Sequence, residues 1–315
     1  MAHQSAIKLP VIDVFDENSK PGTDSWICKC KEVQLAFEQY GCFLATFENV
    51  SLQLQEDEVF ESLQELFHLP TENKVQNTSD KPYFGYFKHP SIPLCESMGI
   101  DNPTILEGAQ SFAKLMWPNG NRIFCERIYA YAKLVSELDR MVKKMVFESY
   151  GVGKYYDSHI QSTDYLLRLI KYRVPLVDEH DIDGCPDHTD KSFLTILHDN
   201  QVAALQIKTK DGNWIGVEPS GSMFVVMAGD AFLAWSNGRI HSPIHRVIME
   251  AAKKERYSLA LFSFSGETIV TPEELVDEAH PLLFKPFDNM DLLRLYSLDD
   301  VQKYVKFFSQ AKCGA

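Results

Sequence analysis

His188-Thr189-Asp190-Lys191-Ser192-Phe193-Leu194-Thr195-Ile196-Leu197 sets a polar triplet at the head of an apolar strand. The chain around it continues in the same character. From about Tyr165 it runs in short stretches rich in branched and aromatic residues, separated by Asp211-Gly212, Ser220-Gly221, Gly229-Asp230 and Asn237-Gly238. Many short strands joined by such turns imply a β-sandwich or barrel. A double-stranded jelly roll fits the pattern, with a functional site inside its mouth.

Successive side chains on a strand alternate faces, so His188 and Asp190 point to one side and can grip one ion together. The triplet alone is weak in a chain with ten histidines and 44 acidic residues. Order and spacing strengthen it. Ser242-Pro243-Ile244-His245-Arg246-Val247 supplies a distal histidine after a turn, and Arg256-Tyr257-Ser258 follows on the next strand. Two imidazoles and one carboxylate leave metal positions open, as in non-haem Fe(II) oxygenases. Arg256 and Ser258, again two apart, would offer a guanidinium fork and a hydroxyl to a buried carboxylate, with a small dicarboxylate as the natural guest. Zinc uses similar ligands, but a zinc hydrolase needs a general base and gives no reason for Arg256 and Ser258.

These residues resemble the plant 2-oxoglutarate-dependent dioxygenases, whose pattern is His-x-Asp, a distal His followed by Arg-Val, and Arg-x-Ser. Gly229-Asp230, Trp235-Ser236-Asn237-Gly238-Arg239 and Leu194-Thr195-Ile196-Leu197 are also similar to that family, so the likeness spans nearly the whole chain. Leu9-Pro10-Val11-Ile12-Asp13, Gly41-Cys42-Phe43, Lys81-Pro82-Tyr83 and Leu115-Met116-Trp117-Pro118 look closest to one clade. It contains the alkenyl-glucosinolate-forming oxygenases and deoxypodophyllotoxin synthase.

The resemblance implies Fe(II) on His188, Asp190 and His245, with 2-oxoglutarate as co-substrate beside O2 and ascorbate as the reductant in assays. Arg256 and Ser258 would hold the far carboxylate of 2-oxoglutarate. In many relatives an Asn-x-Tyr before Pro-Pro helps; here Ile170-Lys171-Tyr172-Arg173-Val174-Pro175 keeps only Tyr172. The implied reaction couples decarboxylation to succinate and CO2 with oxidation of an unactivated C–H bond, by hydroxylation, demethylation, desaturation or ring closure. Phe262 stands where flavonoid-oxidising relatives set an aromatic against the substrate. With Phe264 it continues the inward face of the last strand, and a core phenylalanine is the plainer reading of each. Lys81, Tyr83, Tyr86 and Phe87 are candidates for the entrance. Two alternatives stay open: a 2-oxoglutarate-independent iron oxidase on the same scaffold, and a non-catalytic jelly-roll binding protein.

With 315 residues, 45% of them hydrophobic and 24% charged, the composition is that of an ordinary soluble globular protein with a sizeable core. A net charge of −13 opposes binding to nucleic acid or anionic membrane, so a small molecule is the expected partner of a monomer. The first residues have neither a basic start nor an apolar run, and the seven cysteines lack zinc-like pairing. Both point to the cytoplasm with reduced thiols. Cys28 and Cys30, two apart in an expected helix, face apart.

Without a linker or repeat, residues 1–315 read as one compact unit. A strand and helix region spans 1–160, the jelly-roll core 161–270, and a helical segment 271–315 that could act as a lid. Expected elements are a strand over 7–14, a helix capped by Thr23 or Asp24 and ended by Gly41, a strand over 42–47, and helices over 52–68, 122–150 and 298–311. In the long helix Ile128, Ala132, Val135, Leu138, Val142 and Met145 form a stripe that reads as a core-packed face rather than a partner site. His241 is a decoy, since Pro243 rules out a regular helix bearing His241 and His245 as two zinc ligands. His198, in a His-Asp-Asn turn, reads as a surface hydrogen-bonding residue.

Overall fold

The computed structural model describes residues 8–16, 18–46, 56–177, 179, 182–218, 223–249 and 252–295. Two sheets form a jelly roll. The larger contains β1 (Val11–Asp13), β2 (Cys42–Thr46), β3 (Phe87–His89), β4 (Ile92–Asp101), β5 (Thr163–Tyr172), β7 (Leu194–Asp199), β10 (Met223–Ala228) and β12 (Arg256–Ser265). Its spatial order is β1-β2-β10-β7-β12-β5-β4-β3. The smaller has the order β6-β11-β8-β9, from β6 (Cys185–His188), β8 (Leu205–Lys208), β9 (Trp214–Gly216) and β11 (His245–Val247). Strands of the N-terminal region therefore pair directly into the larger sheet, which carries Tyr172 on β5 and Arg256 on β12.

The sequence of β12 explains its central place. Tyr257, Leu259 and Leu261 pack into the helix-side core, whereas Arg256, Ala260, Phe262 and Phe264 line a cavity on the other face. Both faces are buried, so the strand reads as nearly continuous apolar sequence interrupted by serines and one arginine. It pairs with β5 from Arg256↔Tyr172 to Ser265↔Thr163, and with β7 on its other side.

Helices cover the outer face: α1 (Asp24–Tyr40), α2 (Glu56–Phe67), α3 (Thr71–Lys74), α4 (Leu106–Met116), α5 (Arg122–Ser149) and α6 (Tyr156–Gln161). The Thr23 hydroxyl caps α1 by accepting from Trp26 N at 3.2 Å, and Gly41 ends it in the left-handed region. Within α1 Cys28 is exposed and Cys30 buried, and the six described cysteines are free thiols. On α5, the expected stripe from Ile128 to Met145 is wholly buried against the sheet. Truncating one such leucine would cost about 2–5 kcal/mol. A buried Asp139–Lys143 ion pair at 2.9 Å adds a polar pin, because Tyr165 of β5 and Ser263 of β12 each donate to Asp139 at 2.8 Å.

Several expectations change. The first strand is shorter than 7–14, and α4 and a short α7 (Asp230–Trp235) were not expected. The last described helix is α8 (Asn289–Leu295). Positions 52–55, the Ser220-Gly221 turn and the helix expected over 298–311 lie outside the described residues. His198 is corrected outright. It lies within β7 at 3% exposure, against Phe60, Tyr131 and Phe224, because the turn begins one residue later than its polar neighbours suggest.

Candidate metal centre and co-substrate pocket

Cross-strand pairing builds the centre. β11 runs antiparallel to β6 with His245 opposite His188, which brings the imidazole centroids to 4.2 Å. His188 Nδ1 lies 2.9 Å from the Pro186 carbonyl and His245 Nδ1 3.2 Å from that of Pro243. Donation from each Nδ1 leaves each Nε2 lone pair directed elsewhere. Asp190 Oδ1 lies 3.8 Å from His188 Nε2 and 3.7 Å from His245 Nε2. The three donor atoms fall within 4.8 Å of one another, a spacing that could hold one metal ion.

Two further observations favour a metal there. Asp190 Oδ2 is buried without a hydrogen-bond partner among the described residues, a costly state for a carboxylate oxygen unless a cation meets it. Burial, reinforced by the neighbouring His245, holds the His188 imidazole below the ordinary histidine range, which favours the neutral, ligating form.

The loop carrying Asp190 is tied at several points. The Asp190 carbonyl accepts from Asp230 N at 2.8 Å, and Asp230 Oδ2 takes hydrogen bonds from Thr189 Oγ1 and Lys191 Nζ, both at 2.9 Å. Gly229 is required by close approach, since a Cβ there would overlap the Ser192 carbonyl. Asn289 donates to the Lys191 carbonyl at 2.7 Å, so the C-terminal side of the chain also holds the loop.

A cavity of about 200 Å³ reaches from this centre across the inner face of the larger sheet. At one end lies Arg256, fully buried, with its guanidinium carbon 5.4 Å above the Tyr172 ring. Its Nη2 and Nε donate to Asp199 Oδ2 at 2.7 and 3.2 Å, and Nη1 lies 3.4 Å from Ser258 Oγ. Asp199 thus orients the Nε and Nη2 edge of the fork, while Nη1 faces Ser258. Arg256 and Tyr172 belong to the cavity wall, whereas Ser258 is buried beside Arg256 and does not line it. Burial keeps the Tyr172 hydroxyl protonated, as a donor.

Phe262 and Phe264 lie along the same wall with ring centroids 6.4 Å apart. Of the entrance candidates, Tyr83 and Phe87 reach the cavity. Lys81 instead pairs with Asp101 at 3.0 Å, and Tyr86 donates to Glu96 at 2.9 Å. His241 stays outside the cluster of three. Asp199, Asn289 and Arg168 were missed by reading the sequence, which named Asp230 only within the Gly229-Asp230 motif. Only Arg168 carried a signal, as a charge within the apolar run Tyr165-Leu166-Leu167-Arg168-Leu169-Ile170.

Comparison with known proteins settles the family. Residues 153–265 match the 2OG-Fe(II) oxygenase superfamily, and residues 9–93 match the non-haem dioxygenase in morphine synthesis N-terminal family. The probable 2-oxoglutarate-dependent dioxygenase AOP1 of Arabidopsis thaliana is 45% identical over 93% of this chain and 98% of its own. The chain belongs to the plant 2-oxoglutarate-dependent dioxygenases.

The match to AOP1 bears out the clade expected from the N-terminal stretch. Among solved structures, the rice dioxygenase for auxin oxidation superposes with a TM-score of 0.81 at 27% identity, covering 97% of this chain and 100% of that one. The 2-oxoglutarate complex of its Arabidopsis thaliana counterpart gives 0.77 at 28% identity, over 87% and 100%. This dioxygenase is therefore an oxidoreductase using Fe(II), 2-oxoglutarate and O2 on a jelly-roll core. No helix among the described residues is long and apolar enough to cross a membrane.

Proposed function

We propose that this dioxygenase oxidises an unactivated C–H bond of an apolar plant specialised metabolite. His188, Asp190 and His245 would hold Fe(II), Arg256 the far carboxylate of 2-oxoglutarate, and Phe262 and Phe264 the substrate. The observation that carries the reading is a single cavity with the three convergent donors at one wall and a buried, Tyr172-stacked arginine at another. When bound, Fe(II) would let O2 act as the oxidant, with 2-oxoglutarate as the two-electron donor that leaves as succinate and CO2.

The chain's own residues contribute geometry and exclusion of water. The Nδ1 donations to Pro186 and Pro243 fix the ring orientations of both histidines. Asp230 and Asn289 hold the Asp190 loop in register with them. Asp199 fixes the Nε and Nη2 edge of Arg256, so a carboxylate would be met at Nη1, with Ser258 positioning that side rather than touching the guest directly. The aromatic wall of Phe262 and Phe264 would desolvate the apolar part of the substrate.

The net charge of −13 supports a small-molecule partner over nucleic acid or an anionic membrane. We place the enzyme in the cytoplasm as a monomer, with 271–315 as a candidate lid. The test is Fe(II)-dependent conversion of 2-oxoglutarate to succinate by purified protein, with O2 consumption followed in parallel. Fe(II) binding without any succinate, across apolar plant metabolites and in their absence, would overturn the reading in favour of a 2-oxoglutarate-independent oxidase.

A further inference from the structure

A second arginine faces the same cavity and is not absorbed by the iron and 2-oxoglutarate reading. Arg168 sits on β5 opposite Ala260 of β12, four residues before Tyr172 and so roughly 13 Å from it along the strand. It is 8% exposed and lines the cavity. Unlike Arg256, it forms no ion pair with a carboxylate among the described residues. Its Nη1 donates to the carbonyls of Tyr83 and Gly85 and its Nη2 to Ser97 Oγ, all neutral acceptors. Nε has no hydrogen-bond partner among the described residues, so the edge formed by Nε and the remaining Nη2 hydrogen is free for a planar acceptor.

The seat of this guanidinium is built. Gly99 of β4 pairs with Arg168 in register, and a Cβ at Gly99 would overlap the Phe84 carbonyl. Its bare backbone lets the segment around Phe84 lie directly over the sheet. Tyr83 takes a left-handed backbone, φ 64°, uncommon for an aromatic residue, while its carbonyl receives Arg168. Burial lowers the guanidinium pKa to about 10, and the neighbours that oppose the shift are Cys95, Tyr172 and Tyr83 rather than a carboxylate. A buried cation with only neutral partners is costly until an anion meets it.

We propose that Arg168 anchors the carboxylate of the organic substrate, so that the enzyme acts on apolar organic acids. The free edge takes the acid group bidentately, and the apolar body lies along Phe262, Phe264 and Leu293. This assignment rests on the oxygenase reading of the same cavity.

The test is anaerobic calorimetry on the protein with Fe(II) and 2-oxoglutarate. The probes are the series from phenylacetic to 6-phenylhexanoic acid, each beside its primary amide, and the visible Fe(II)·2-oxoglutarate band is recorded in the same samples. At least one acid should bind about tenfold to hundredfold tighter than its amide, the range of one charge-assisted contact. Arg168→Gln should abolish that preference with the band and the 2-oxoglutarate affinity unchanged, and Arg168→Lys should keep part of it. The proposal is overturned by equal binding of acids and amides across the series, by a preference that survives Arg168→Gln, or by an equal loss of 2-oxoglutarate affinity in that variant. If Arg168→Gln fails to fold, the wild-type acid and amide comparison with Arg168→Lys decides. A missing band with a retained acid preference refutes the oxygenase reading alone.

Discussion

Arg256 has two separable roles, and one pair of variants distinguishes them. Its guanidinium and the Asp199 carboxylate lie 2.7 Å apart with side-chain exposures of 1% and 10%, so removing either partner strands a buried charge. Breaking such a pair costs about 3–5 kcal/mol, whereas replacing both members by apolar residues of similar size is often neutral. Arg256→Met is therefore expected to lose about 3–5 kcal/mol of unfolding free energy in urea, and Arg256→Met with Asp199→Leu to recover most of it. 2-Oxoglutarate binding should behave otherwise. Both proteins lack the charged donor, which is worth about 1.5–3 kcal/mol, so calorimetry should show about tenfold to hundredfold weaker affinity in each. A double variant with restored stability and wild-type 2-oxoglutarate affinity would refute the co-substrate role. A single variant as stable as wild type would refute the buried-pair argument.

The other expectations concern the centre and its supports. His188→Ala, Asp190→Ala and His245→Ala should each abolish Fe(II)-dependent succinate formation, because two ligands hold the ion too weakly; turnover above the metal-free background in any of them would remove that residue from the set. Gly229→Ala should push the Ser192 carbonyl and the Asp190 loop apart and weaken Fe(II) binding measured by calorimetry, while unaltered binding would mean that the loop yields freely. Phe262→Ala should raise the KM for the organic substrate more than it alters substrate-free 2-oxoglutarate consumption; equal effects would mark a structural role. His159 is packed against Phe147 and Phe193, and burial first, then Lys143, lowers its pKa to about 2. The unfolded chain then binds the extra proton below the ordinary value of about 6.5, so this group's stability is full above that pH and falls by about 1.4 kcal/mol per unit as the solution is acidified toward the folded value. His159→Phe should flatten that part of the pH profile of urea unfolding, and an unchanged slope between pH 6 and pH 5 would contradict the assignment.

Local features proved readable where the physics is local. The two-residue period of Arg256-Tyr257-Ser258-Leu259-Ala260-Leu261-Phe262 separates a cavity face from a core face, and the structure shows that division. Thr23 and Gly41 end a helix by their own backbone and side-chain chemistry. Leu106–Met116 went unread because Ile105 offers no side-chain cap, although Ala109, Phe112, Ala113 and Met116 carry the helical spacing. His198 was misplaced because Asp199-Asn200 resembles a turn start, yet Asp199 still belongs to the strand. What escaped entirely depends on sheet register. No spacing rule connects Asp199 to Arg256 across 57 positions or sets His188 opposite His245. A buried arginine such as Arg168 acquires meaning only once the carbonyls above it are in place.

Anaerobic titration of the purified protein with Fe(II), with and without 2-oxoglutarate, tests the central claim most directly through the weak visible charge-transfer band of the chelate. The account predicts a band that requires both components and is lost in His188→Ala. Bound iron with no such band at saturating 2-oxoglutarate would contradict it.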